Sequence, residues 1–152
     1  MKKLLIIILL LCVGCNNKIN KNYDKYLNTL NTVNESSNFI PCNIEITHDK
    51  ITDGEISYQV TFDHLIENMN DINIVLIHNM ETDDGYPSIG VYDEEPINLL
   101  KEPIKENKKG IILIGYFEYS GSLDKLSTQF KILINYKDDI GNEKTIYLIK
   151  TI

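Results

Sequence analysis

The sequence predicts an all-β fold, an antiparallel two-sheet sandwich of about seven strands. Three observations carry this expectation. From residue 41 onward, apolar residues recur at every second position in a series of short runs. Pairs such as Asp53-Gly54 and Gly141-Asn142, which favour tight turns, separate the runs. No amphipathic stretch long enough for a substantial helix follows residue 40. A chain that is 43% hydrophobic and 24% charged can fill a core of this kind.

Ile44, Ile46 and His48 alternate with polar residues as the first strand. After Asp53-Gly54, residues Ile56, Tyr58, Val60 and Phe62 alternate with Ser57, Gln59, Thr61 and Asp63, the signature of a half-buried strand. Residues 72–78 form a nearly continuous apolar run, which suits a central strand. Residues 88–92 read as a short, weak strand. Residues 111–119 are rich in β-branched and aromatic types. Phe130, Ile132, Ile134 and Tyr136 alternate again, and residues 145–150 close the domain after the Gly141-Asn142 turn. The connections 79–87 and 93–109 are acidic or interrupted by Pro87, Pro96 and Pro103, and are expected to carry the chain between sheets. Residues 65–69 and 97–100 each read as a single helical turn.

Two other zones precede the sandwich, giving an organisation of 1–14, 15–40 and 41–152. Residues 16–40 are polar and rich in Asn, and as a flexible coil would span about 25–30 Å. Within them Tyr23, Tyr26, Leu27 and Leu30 fall at i, i+3, i+4 and i+7. That stripe predicts a short helix, marginal in isolation, that docks on the domain or frays. Met1-Lys2-Lys3 followed by ten apolar residues, 4–13, has the layout of a secretory signal peptide. The run is about half of the roughly 20 residues that a transmembrane helix requires.

Val13-Gly14-Cys15 at the end of that run resembles the lipobox of bacterial lipoproteins, with Cys12 where the family usually has Leu. The resemblance implies cleavage before Cys15 and a diacylglyceryl group on its sulfur, with or without an added N-acyl chain. It places the chain on the extracytoplasmic face of the bacterial cell membrane. Each buried CH₂ contributes about 0.8 kcal/mol, so two or more acyl chains give a stable anchor. Cys12 then leaves with the signal and Cys42 alone remains, which excludes an internal disulfide. Cys42 is expected to be a small apolar strand residue. The segment Phe130-Lys-Ile-Leu-Ile-Asn-Tyr136, with Asp138-Asp-Ile-Gly141-Asn142 and Thr145-Ile-Tyr-Leu148, resembles the closing hairpin of immunoglobulin-like and fibronectin-III-like bacterial domains. The disulfide and the Trp of antibody-type domains are missing.

Charge excludes some functions. The full chain carries −7, and without Lys2 and Lys3 the balance is 13 Lys against 22 acids, or −9. Nucleic-acid binding calls for the opposite sign. No nucleophile elbow, zinc-protease, P-loop or Cys-x-x-Cys motif occurs, so the expectation is a protein that is not an enzyme. The function expected is a non-catalytic binding or adaptor module that meets an envelope protein or a small extracellular ligand. Its candidate binding residues are Asp83, Asp84, Tyr86 and Tyr92, among the acids Glu81, Asp93, Glu94 and Glu95. Tyr116 and Tyr119 would extend the aromatic surface. The alternative is a copper carrier using His64, Met69, His78 and Met80, since imidazole and thioether suit Cu(I) and His78-Asn79-Met80 has a ligand-like spacing. That site requires the ends of two strands to meet.

Overall fold

The computed structural model describes residues 20–101 and 110–152. The expected signal peptide, Cys15 and Pro103 lie outside the described residues. Helix α1 spans Asn20–Thr32. It is followed by β1 (Asn43–Thr52), β2 (Glu55–Asp63), β3 (Asn70–His78), β4 (Ser88–Ile89), β5 (Ile111–Glu118), β6 (Gln129–Lys137) and β7 (Glu143–Thr151), with one 3₁₀ turn at Leu123–Lys125. One sheet has the order β1-β2-β5 and the other β4-β3-β6-β7, all pairings antiparallel. The two-sheet sandwich expected from the alternation is thus present.

The core lies between the sheets. Ile56, Tyr58, Val60 and Phe62 of β2 face Ile72, Ile74 and Leu76 of β3 and Phe130, Ile132, Ile134 and Tyr136 of β6, all nearly or fully buried. Gly115 of β5 sits opposite Tyr58 in the ladder, and a Cβ there would lie 2.2 Å from the Tyr58 hydroxyl. The glycine therefore makes room for the largest inward ring of its neighbour. At the β6–β7 hairpin Gly141 takes φ +84, as the turn signal predicts, and Asp138 accepts hydrogen bonds from the Ile140 and Asn142 amides.

Residues 20–40 do not form the flexible coil that their composition suggests, and the short helix expected within them is present. The predicted stripe docks on the outer face of the four-stranded sheet. Leu30 is wholly buried among Val75, Ile77, Val91 and Leu133, flanked by Tyr23, Tyr26 and Leu27. This explains why 72–78 is apolar at nearly every position: Ile74 and Leu76 fill the sandwich core while Val75 and Ile77 receive the helix. Lys131 Nζ donates to Val33 O at 2.7 Å, placing a cation at the C-terminal end of α1. Ser36 and Ser37 then run along β7, where their hydroxyls accept from the amides of Ile149 and Tyr147 at 2.9 Å each. The helical turns expected at 65–69 and 97–100 are also absent. Leu99 instead bridges Met69 antiparallel, and Ile97 O accepts from the Ile72 amide, so this stretch completes the free edge beside β3.

Candidate functional site

The acidic loop between β3 and β4 forms one wall of a concave feature. Each anchor of this loop is a hydrogen bond from neighbouring structure. Asn79 Oδ1 accepts from Thr128 Oγ1 and from the Gln129 amide, both at 2.8 Å, which pins the loop to the start of β6. Glu81 O accepts from the Glu118 amide at 2.9 Å, which ties it to the end of β5 in the other sheet. Tyr86 Oη donates to His78 O at 3.2 Å, and the Leu76 amide donates to Pro87 O at 3.3 Å. Between these anchors lies an open groove of about 460 Å³, with Asp83, Asp84, Glu81 and Glu118 on its walls and Tyr86 and Met80 at its side. Four carboxylates and no cationic side chain line it, so its field favours a positively charged group.

His78 sits beneath this loop. It is 6% exposed, and its ring meets those of Tyr58, Tyr86, Phe117 and Phe130 edge to face at 5.2–5.7 Å. Nδ1 accepts from the Met80 amide at 3.3 Å, so the neutral ring carries its proton on Nε2, which has no hydrogen-bond acceptor among the described residues. Burial holds the imidazole pKa below its ordinary value.

The structure brings together only some of the expected residues. Asp83, Asp84 and Tyr86 share the groove. Tyr92 does not: its ring packs at a tilt of 43° against that of Tyr23 of α1, with centroids 5.3 Å apart. Tyr23 also donates to Tyr86 O at 3.0 Å, so both tyrosines help to seat the helix. Tyr116 lies on the outer face of β5, and Tyr119 donates to Ser122 O at 3.1 Å, so the four tyrosines do not form one surface. Glu118 was not among the expected binding residues. It comes from a strand distant in sequence and enters the groove because Glu81 is bonded to its amide.

The copper set is corrected by the geometry. His64 follows β2 at one pole, with φ 47, and its side chain is 82% exposed beside Asp63 at 2.8 Å. Met69 is buried at that same pole. His78 and Met80 lie past the opposite end of the nine-residue β3, a strand roughly 26 Å long. The four cannot converge on one ion. Among the described residues no group of three or more His, Cys, Asp or Glu side chains is arranged to hold a metal. Cys42 is buried, and burial, with the nearby Asp63 charge, pushes its thiol up to about 12, which makes it unreactive. Compared with known proteins, the chain matches no family model, no curated protein and no solved structure.

Proposed function

We propose that this chain is a lipid-anchored extracytoplasmic lipoprotein of the bacterial cell membrane. It acts as a non-catalytic binding or adaptor module, and its anchor is the diacylglyceryl group on Cys15. The observation that carries this reading is the sequence Val13-Gly14-Cys15 behind two lysines and ten apolar residues. The strand partition supports the immunoglobulin-like part of the reading. First, second and fifth strands form one sheet, and third, sixth and seventh lie in the other, as in constant-type domains, with the fourth strand moved to the edge beside β3.

Recognition falls to the groove of Glu81, Asp83, Asp84, Glu118 and Tyr86, for a partner that offers a cationic group, either an envelope protein or a small extracellular ligand. Complementary charge of this kind speeds encounter and selects partners. The mechanism is binding, with no bond made or broken.

The test is mass spectrometry of the protein from native membranes. The expected N-terminal fragment begins at Cys15 and carries at least two acyl chains, and Cys15→Ser loses both the cleavage and the lipid mass. A free thiol at Cys15, or an intact Met1, overturns the reading. Capture on intact cells, with Cys15→Ser as the unanchored control and Asp83→Asn/Asp84→Asn as the groove control, then identifies the partner.

A further inference from the structure

A sandwich has four sheet edges, and three of these are closed, short or charged. The β7 edge is bonded to Ser36 and Ser37. The β4 edge is only two residues long. The β1 edge carries Glu45, Asp49 and Lys50, and its Ile44 carbonyl accepts from Lys150 Nζ at 3.0 Å. The β5 edge differs. The Tyr119 amide donates to Gly54 O in the β2 direction, while the Glu118 amide points the other way, to Glu81 O. Antiparallel alternation therefore turns the amides and carbonyls of Ile112, Ile114 and Tyr116 to the far edge, where no described residue pairs with them. Glu81 closes the ladder at Glu118, so the open window is 112–116 and its centre is Ile114.

The same three residues expose their side chains on the outer face of the sheet: Ile112 is 50%, Ile114 55% and Tyr116 36% exposed. Beside them on β2 stand Thr61, Gln59 and Ser57, all uncharged. A neutral apolar strip with an open ladder, on a chain of net charge −7, is the feature that other edge strands avoid.

We propose that β5 pairs antiparallel with β5 of a second copy about a two-fold axis at Ile114, giving a continuous sheet of order β1-β2-β5-β5-β2-β1. The self-match decides the occupant. With the axis there, Ile114 faces Ile114 as a hydrogen-bonded pair, and Ile112 faces Tyr116 on both sides. Every outward amide and carbonyl of the window finds its mate. Glu118 lies just beyond the paired window, its amide held by Glu81 O, whereas parallel alignment would set the Glu118 carboxylates of the two copies side by side. The aromatic ring over a β-branched neighbour is a favourable cross-strand pair. The inference stands apart from the acidic groove and from the lipid anchor.

The experiment uses the full chain in detergent. Sedimentation is expected to show a concentration-dependent dimer, with Ile114→Lys weakening it at least about tenfold while the thermal melt is retained. Disulfide trapping reads the register. In a hydrogen-bonded pair Cα atoms are about 5.5 Å apart, within disulfide range, so Ile114→Cys links to itself on mild oxidation. Ile112→Cys faces Tyr116 and does not, whereas Ile112→Cys/Tyr116→Cys links again. The parent chain, oxidised in parallel, sets the background from its native cysteines. A chain that stays monomeric at about 1 mM, a dimer untouched by Ile114→Lys, self-linking of Ile112→Cys as strong as that of Ile114→Cys, or open-ended aggregation in place of a dimer would each overturn the proposal.

Discussion

His78 shows how one buried side chain couples the fold to pH. Its ring is packed among four aromatic rings, and burial lowers its pKa from the ordinary 6.5. The unfolded chain therefore binds a proton at this site at a higher pH than the folded chain does. The stability it contributes is complete above pH 6.5 and is lost as pH falls through the folded pKa. The loss is at most about 1.4 kcal/mol per pH unit for a single proton. His64 acts with the opposite sign: Asp63, through its hydrogen bond and then its charge, raises the His64 pKa, so its contribution is present below 6.5 and disappears as pH rises through the raised value. Glu67 is lowered, first by the Lys144 hydrogen bond and then by that of Tyr136, so its contribution persists until pH falls below the usual 4.5. The window from 6.5 to 4.5 therefore isolates His78. Urea midpoints measured across it should fall as pH falls, flatten in His78→Phe and keep the parent slope in His64→Ala, whose effect belongs above pH 6.5. A wild-type midpoint that does not change across the window contradicts the buried neutral imidazole.

At the scale of elements, α1 owes its existence to packing. Thirteen residues with no acid in the first turn and no base in the last lack the usual dipole support. Leu30, fully buried, joins the helix to Val75, Ile77 and Leu133. Leu30→Ala should cost about 2–5 kcal/mol of local stability. In hydrogen exchange the amides of 23–32 should lose protection before those of β3 and β6, and trypsin should cut after Lys25 faster than in the parent. Equal protection in parent and variant would show that the helix stands without its contact. The strands were legible in the sequence because each one buries its own residues at period two, and neighbouring strands do not alter that spacing. Tyr23, Tyr26, Leu27 and Leu30 were legible as a stripe for the same reason. Their receptor was not, because Val75 and Leu133 belong to the outer face of a sheet whose order no local pattern encodes. Half of the groove was legible as well: Asp83, Asp84 and Tyr86 adjoin in the chain, whereas Glu118 joins them through a bond between sheets. Tyr92 was misplaced because a tyrosine that seats a helix and one that awaits a ligand have the same local sequence.

For the whole molecule, docking of α1 changes how far the body could sit from the proposed lipid anchor. With residues 16–40 as coil, the sandwich would hang about 25–30 Å from a lipid on Cys15. With α1 starting at Asn20, only five residue steps separate them, and five steps span at most about 18 Å. If Cys15 carries the proposed lipid, the start of α1, which lies against Tyr86 and Tyr92, holds that side of the sandwich near the headgroups, and Ile140, exposed at the tip of the β6–β7 hairpin, serves as the comparison site. The chain has no Trp, so one introduced indole reports without background. In the lipidated protein on vesicles, spin-labelled headgroups should quench Tyr92→Trp more strongly than Ile140→Trp. Inserting about 20 Gly/Ser residues after Asn17 lengthens the reach to a coil of roughly 22–27 Å and should erase the difference. Equal quenching of the two reporters in the parent would mean that the body tumbles freely about its mooring. The acidic groove would then gain no fixed orientation from the helix. Strong quenching at Tyr92→Trp, lost on insertion, would show the docked helix acting as a short rigid mount that keeps a charged recognition surface close to the membrane plane.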